Sequence, residues 1–170
     1  LDRVSGISFY TNAILMTAET SERLMRYASK LHVHVSWGGF DRETWNTIMG
    51  VDKFEPARDA VLALLEIKER TRTPLRFTLA LRCPDTNCTG ELWSTIDAYR
   101  KRGLVEIAPM SDYDSWAGKI EPGALEKVGL TPREMPYKRG ACELLFTKPV
   151  ILADGRVNAC ACRDVEAELI

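Results

Sequence analysis

The residues of this sequence with the clearest capacity for chemistry are its five cysteines, namely Cys83, Cys88, Cys142, Cys160 and Cys162. Their number is odd, and the N-terminus, Leu1-Asp2-Arg3-Val4, lacks the basic, apolar and small-residue layout of an export signal. Both features favour reduced thiols, some of which could be metal ligands, over disulfides. They also indicate a cytoplasmic protein.

Two further groups have the residue types of metal ligands. Cys83 and Cys88 form a C-x(4)-C pair, but no second pair stands at matching spacing, so free thiols or packing residues are favoured there. His32 and His34 alternate along one predicted strand, and neutral imidazole is a common metal ligand. No Asp or Glu nearby completes a ligand set, which favours buried, hydrogen-bonded histidines.

Apolar periodicity predicts four strands that alternate with three helices in residues 1–110. The predicted strands are Ile7–Asn12, His32–Trp37, Leu75–Arg82 and Leu104–Pro109. The helical stripes are Leu24, Ala28 and Leu31 with an N-cap at Thr20 or Ser21, Phe54 to Leu65, and Leu92 to Tyr99. This alternation predicts an α/β fold with a parallel sheet and right-handed crossovers.

The remaining third of the chain has a different character. Residues 111–140 are interrupted by proline and glycine, which predicts a linker with one short helix near Ala124 to Val128. In residues 141–170, Asp154-Gly155 stands between two apolar runs, a strong signal for a β-hairpin. We therefore expect a small cysteine-containing hairpin domain to begin there.

One face of every predicted strand is polar, although parallel strands are normally apolar on both faces. The polar set comprises Ser8, Tyr10, Asn12, His32, His34, Ser36, Arg76, Thr78, Arg82 and Glu106. A barrel or half-barrel whose inner face lines a wet cavity accounts for this pattern, and an open sheet with one solvated face is the alternative. In such barrels the site lies at the carboxyl ends of the strands.

Composition excludes several classes of partner. The 170 residues are 45% hydrophobic and 28% charged, with a formal net charge of -1. This charge gives no electrostatic basis for binding nucleic acid or an anionic membrane. No apolar run reaches the roughly 20 residues of a membrane span.

Three segments together resemble radical S-adenosylmethionine enzymes. Ile7 to Ala13 resembles the "TNG" segment of the third barrel strand, and Val33 to Gly39 resembles the "VSLDG" segment of the fourth. Phe54 to Leu65 is similar to the helix that follows in that family. The resemblance implies a partial (β/α) barrel made of strands three to six of a six-stranded barrel.

A second resemblance concerns the hairpin. Cys142, twelve residues, Gly155, four residues and Cys160 resemble the opening of a SPASM domain, in which such cysteines help hold an auxiliary [4Fe–4S] cluster. Cys162 adds a C-x-C that the family opening does not require. Because thiolates also suit zinc, a zinc site is the alternative to the iron–sulfur cluster, and plain buried thiols are a third possibility.

The first resemblance also implies cofactor contacts. Ser36 would contact the ribose or carboxylate of S-adenosylmethionine, or be an ordinary strand-end hydroxyl. Asn12 would act similarly, or cap a turn. Arg82 could bind a carboxylate bidentately or pair with Glu106, and the structural pair is favoured.

The sequence also departs from the family pattern. The CxxxCxxC loop of the catalytic cluster and the "GGEP" segment do not occur, and Trp37-Gly38 replaces leucine-aspartate. We therefore expect a fragment that is inert alone, from an enzyme that modifies a peptide, protein or other sizeable substrate. The alternative is a non-catalytic binding or scaffold domain with structural zinc. If the preceding barrel segment is missing, strand Ile7–Asn12 would be an exposed edge that favours self-association.

Overall fold

The computed structural model describes residues 4–109 and short stretches beyond them, namely 112–113, 123, 126–127, 129–133, 147, 150–152 and 154–158. The chain divides into two compact units, Leu1–Ser111 and Asp112–Ile170. Cys142, Cys160 and Cys162 lie outside the described residues, as does most of the predicted helix Ala124 to Val128.

The first unit contains a four-stranded parallel sheet with the strand order β1-β2-β3-β4. The strands are β1 (Ile7–Thr11), β2 (Leu31–Trp37), β3 (Arg76–Leu81) and β4 (Glu106–Ala108). The predicted α/β fold with a parallel sheet is confirmed, and each strand overlaps its predicted range. When parallel strands follow one another in sequence order and all crossovers have the same hand, every connecting helix packs on the same side of the sheet. None of the described helices covers the opposite face, which is where the polar residues lie.

Four helices connect these strands: α1 (Ala18–Met25), α2 (Arg42–Met49), α3 (Phe54–Thr71) and α4 (Gly90–Lys101). The predicted extent and N-cap of α1 are wrong. Thr17 caps the helix by accepting a hydrogen bond from Thr20 N at 3.1 Å, and Leu31 begins β2. The apolar spacing was misleading because Leu24, Ala28 and Leu31 belong to a helix, a short 3₁₀ turn and a strand in turn.

Helix α2 was not predicted, and it has clear end signals. Asp41 accepts a hydrogen bond from Thr44 N at 2.9 Å, and Gly50 ends the helix with a φ of 70°. The helix has eight residues and buries only Trp45. So short an element carries too little apolar periodicity to stand out, and its caps are the better signal.

The hydrophobic core lies between the sheet and its helices. Trp37 of β2 packs with its ring centroid 6.1 Å from that of Trp45 and 6.3 Å from that of Phe54. The helix-facing residues of the central strands, Val33, Val35, Phe77, Leu79 and Leu81, are buried almost completely. Full burial of each such side chain contributes about 1.5–3 kcal/mol, so the core holds the sheet in register and fixes the opposite face.

The second unit contributes two short strand pairs. Strand β5 (Asp112–Tyr113) pairs in parallel with β6 (Thr131–Pro132), and β7 (Val150–Ile151) pairs antiparallel with β8 (Val157–Asn158). The predicted hairpin is confirmed: Leu152 N donates to Arg156 O at 2.9 Å, and Gly155 has a φ of 87° in the turn. Among the described residues, no helix combines the length and the apolar character that a membrane span requires.

Candidate functional site

The polar face of the sheet is the candidate site, and we define it by Tyr10, His32, His34, Ser36, Thr78, Arg82 and Glu106. Along β2, buried Val33 and Val35 alternate with half-buried His32, His34 and Ser36. Thr78 of β3 is only 4% exposed although it belongs to the polar face. The side chains around it therefore cover the middle of this face.

Three aromatic rings form a stack across β1 and β2. The Tyr10 and His34 rings lie 4.5 Å apart with an interplanar angle of 15°, as expected from the direct pairing of these two residues in the sheet. The His32 and His34 ring centroids are 3.7 Å apart, and these two rings are tilted by 34° relative to each other. Tyr10 is 67% exposed and so presents its outer surface to any molecule that approaches the face.

A hydrogen-bonded chain runs from β2 to β4. His32 Nε2 lies 2.8 Å from Thr78 Oγ1, and that hydroxyl donates to Glu106 Oε2 at 3.3 Å. Because the threonine proton goes to the carboxylate, its oxygen accepts from His32, which places the imidazole proton on Nε2. The Nδ1 lone pair of His32 is then available as an acceptor.

Both histidines are biased towards the neutral form. Burial lowers the pKa of His32, and the nearby charges of His34 and Arg76 lower it further, against an opposing effect of Glu106. Burial and Arg76 likewise lower the pKa of His34. Neutral rings can stack this closely without charge repulsion, and each can accept a proton or a hydrogen bond.

The histidines do not assemble a metal site with their described neighbours. No group of three His, Cys, Asp or Glu residues suited to a metal ion occurs in the described part of the chain. Glu106, the nearest carboxylate of the network, is joined to His32 through the Thr78 hydroxyl. The hydrogen-bonded role predicted for His32 is confirmed, although both rings are half-buried and not fully buried.

Ser36 and Arg82 meet at the carboxyl ends of β2 and β3. Arg82 Nη2 donates to Ser36 Oγ at 3.2 Å, and Arg82 N donates to Trp37 O at 2.7 Å, which extends the ladder beyond β3. The favoured Arg82–Glu106 ion pair is wrong. Glu106 pairs in register with Thr78, four residues before Arg82, which corresponds to about 13 Å along the strand.

Asn12 adopts the turn-capping role. Its Oδ1 accepts a hydrogen bond from Ile14 N at 3.2 Å, next to Thr11 Oγ1, which accepts from Ala13 N at 3.1 Å. These two bonds stabilise a sharp turn in which Ala13 has a φ of 62°. The Asn12 side chain therefore has a structural function at the carboxyl end of β1.

The departure at Gly38 has a packing reason. A Cβ at this position would lie 2.9 Å from Trp45 O and 2.9 Å from Met49 Cγ, both in α2. An aspartate, the residue of the resembled segment at this position, would not fit here without a shift of that helix. The close approach of α2 and the glycine at position 38 are thus one structural feature.

Neither Cys83 nor Cys88 forms a disulfide in the described part of the chain. Cys83 is completely buried and belongs to the core, and burial raises its pKa to about 11. Burial also raises the pKa of Cys88, which is half-buried. A thiol of this kind is a poor nucleophile at neutral pH.

The Thr78 link was not predicted from the sequence as part of a network. The available signal was the alternation that places a hydroxyl on the polar face between a histidine strand and a glutamate strand.

No protein family, no curated protein and no solved structure matched the chain.

Proposed function

We propose that the first unit is the ligand-binding portion of a partial (β/α) barrel of the radical S-adenosylmethionine type. The observation that carries the proposal is the one-sided parallel sheet, which has an apolar helix-facing side and a connected polar network on the other. Such a face suits a wet binding cavity, with its site at the carboxyl ends of the strands.

The Ser36–Arg82 pair is the residue set that best fits the cofactor. A guanidinium beside a hydroxyl matches a carboxylate, because charge-assisted hydrogen bonds from arginine to carboxylates are strong and directional. These residues would hold the carboxylate of the amino-acid part of S-adenosylmethionine. Asn12 would contribute by shaping the turn beside them.

The chemistry that S-adenosylmethionine supplies when bound is a carbon radical formed by reductive cleavage, and this requires an electron from a cluster. The 170 residues contain no CxxxCxxC motif for that cluster. In this proposal they contribute binding and orientation. Cys142, Cys160 and Cys162 stay predicted ligands of an auxiliary [4Fe–4S] cluster, with zinc as the alternative metal.

The substrate would approach the ring stack. Exposed Tyr10, backed by His34, offers a flat surface for a side chain of a peptide or protein substrate. Neutral His32 offers a hydrogen-bond acceptor held in one tautomer by Thr78 and Glu106. The proposal therefore assigns the cofactor to the carboxyl end and the substrate to the middle of the face.

The first test is binding of S-adenosylmethionine to the full 170-residue chain by calorimetry. We expect saturable binding that Arg82→Gln weakens about tenfold or more, because it removes the charge opposite the carboxylate. Arg58→Gln is the matched control, since Arg58 is paired with Asp59 on α3 and belongs to no part of the polar face. Circular dichroism checks that both variants fold.

A second ligand makes the test specific. Decarboxylated S-adenosylmethionine lacks the carboxylate, so its binding should be weaker than that of the parent and insensitive to Arg82→Gln. Binding that is absent with both ligands, or that Arg58→Gln weakens as much as Arg82→Gln does, would refute the proposal. Absence of binding would favour the non-catalytic scaffold.

A further inference from the structure

A groove at the amino ends of β3 and β4 is a second candidate site, which shares Glu106 with the polar face but lies away from the Ser36–Arg82 pair. Its volume is about 520 Å³, and it is bounded by the last turn of α3, the start of β3, the end of α4 and the start of β4. Arg76 lies at its edge, six residues and about 20 Å along β3 from Arg82. The groove and the Ser36–Arg82 pair are therefore at opposite ends of the strands.

The lining of this groove has an excess of positive charge. Four cationic residues line it, Lys68, Arg72, Arg76 and Arg102, against the two carboxylates of Glu69 and Glu106. Glu69 is paired with Arg102, and Glu106 accepts the hydrogen bond from the Thr78 hydroxyl.

The charges of the two other arginines, Arg72 and Arg76, are not neutralised among the described residues by an ion pair of the kind that joins Arg102 to Glu69. Arg72 and Arg76 are exposed, and neither guanidinium group forms a hydrogen bond or an ion pair within the part of the chain that the structure describes. Two guanidinium groups at the mouth of the groove are thus left to solvent or to a ligand.

Lys68 is the least expected of these residues. It is only 7% exposed, yet it carries an ammonium group, and that group donates to Leu104 O at 2.5 Å. Burial lowers its pKa, with Glu106 opposing the shift. No carboxylate among the described residues forms an ion pair with it, and a buried charge without a counterion is destabilising.

The carbonyl end of α3 explains only part of this positive charge. Cations near the last turn of a helix are favoured, which applies to Lys68 and Arg72. Arg76, however, stands on a strand, and the Lys68 ammonium is bonded to the carbonyl of Leu104 on the approach to β4. The cations converge on the groove from separate elements of the fold.

We propose that this groove binds the phosphate group of a small molecule. Exposed guanidinium groups can bind phosphate oxygens bidentately, and a lysine ammonium binds phosphate as a point charge. A bound anion would give Lys68 a direct ion-pair partner, in addition to the longer-range effect of Glu106. The volume lies in the range of small-molecule pockets, which leaves space for the organic part of a phosphorylated compound. This inference does not depend on the proposed function of the polar face.

The test is a phosphorus-31 NMR titration of the full chain with inorganic phosphate, with total ionic strength held constant by sodium chloride. We expect saturable line broadening that Arg76→Gln and Lys68→Met each weaken about tenfold. Arg100→Gln is the matched control, because Arg100 pairs with Asp97 on α4 and does not line the groove. Its affinity should stay within about twofold of wild type, as expected for a change remote from the site.

Several outcomes of this titration would overturn the inference. An absence of saturable broadening in the wild-type chain would do so, as would an equal loss in Arg100→Gln. If Lys68→Met fails to fold by circular dichroism, exposed Arg76 and Arg72, each changed to Gln, carry the test. Displacement of inorganic phosphate by a short DNA duplex would assign the groove to nucleic acid and overturn the small-molecule ligand.

Discussion

Replacement of Thr78 by valine tests whether the polar face is a connected network. The substitution keeps the branched shape but removes the hydroxyl that links His32 Nε2 at 2.8 Å to Glu106 Oε2 at 3.3 Å. Glu106 is exposed, so its carboxylate regains water when the bond is lost. The His32 ring is half-buried, so its Nε2 proton regains water only in part.

The expected loss of stability follows from these two bonds. A typical hydrogen bond contributes a net 0.5–1.5 kcal/mol, and a buried donor left without a partner costs about 1–3 kcal/mol. With one partner exposed and the other half-buried, we expect Thr78→Val to lower the free energy of unfolding by about 1–2 kcal/mol. Thr95→Val is the control: the Thr95 hydroxyl bonds only Glu91 O of its own helix, at 3.1 Å on the exposed surface, so its loss should stay near 0.5 kcal/mol.

Urea unfolding followed by tryptophan fluorescence measures both variants, because Trp37 and Trp45 lie in the core beneath the sheet. Nitrogen-15 NMR of the His32 ring gives an independent measurement. The wild-type ring should be protonated on Nε2, and Thr78→Val should populate both tautomers. Equal stability of the two variants, together with an unchanged His32 tautomer, would refute the network.

Three further predictions concern titration, thiol reactivity and packing. Folding lowers the pKa values of His32 and His34 from 6.5, so the unfolded chain binds more protons below that pH. The free energy of unfolding should therefore be full above about pH 6.5 and fall as the pH drops. His32→Gln should flatten this dependence, as measured by urea titrations at about pH 7.5 and pH 5. With a pKa of about 11, only about one Cys83 side chain in a thousand is a thiolate at pH 8. Peptide mapping after iodoacetamide treatment should therefore find Cys83 unmodified in the folded chain and modified in denaturant. Modification in the folded chain would contradict its burial. Gly38→Ala should lower stability by about 1–3 kcal/mol in urea, because its Cβ would lie 2.9 Å from Trp45 O. Gly123→Ala should change stability little, because no described atom lies within 4 Å of the added Cβ. Equal effects of the two substitutions would contradict the close approach of α2.

The fold was predictable where local pattern and tertiary burial agree. Strand β2 alternates strictly between apolar and polar residues, and its burial alternates in the same way. The hairpin was predictable from Asp154-Gly155 alone, because this dipeptide favours the backbone conformation of a hairpin turn. The predicted position of helix α1 was wrong because Leu24 and Leu31 have a helical spacing by coincidence. Leu31 is in fact the first residue of β2.

The candidate site was predictable only as a set of residues on one face. Alternation placed His32, Thr78 and Glu106 on the same side, but their hydrogen bonds depend on strand register, which sequence pattern does not give. The favoured Arg82–Glu106 pair was wrong for this reason. The buried ammonium of Lys68 was not predicted either, because a lysine in a helix normally extends to solvent.

The burial of Thr78 bears on the choice between a binding face and a merely solvated one. On a solvated sheet face each side chain extends independently into water, and a central threonine would be accessible. Here Thr78 is 4% exposed, beneath a histidine that is itself in contact with a second histidine and, through it, a tyrosine. Polar groups that fix one another's orientation lose little further entropy when a ligand binds, which is the physical condition for a preorganised site. The interlocked arrangement of this face therefore supports the proposal that it binds a ligand.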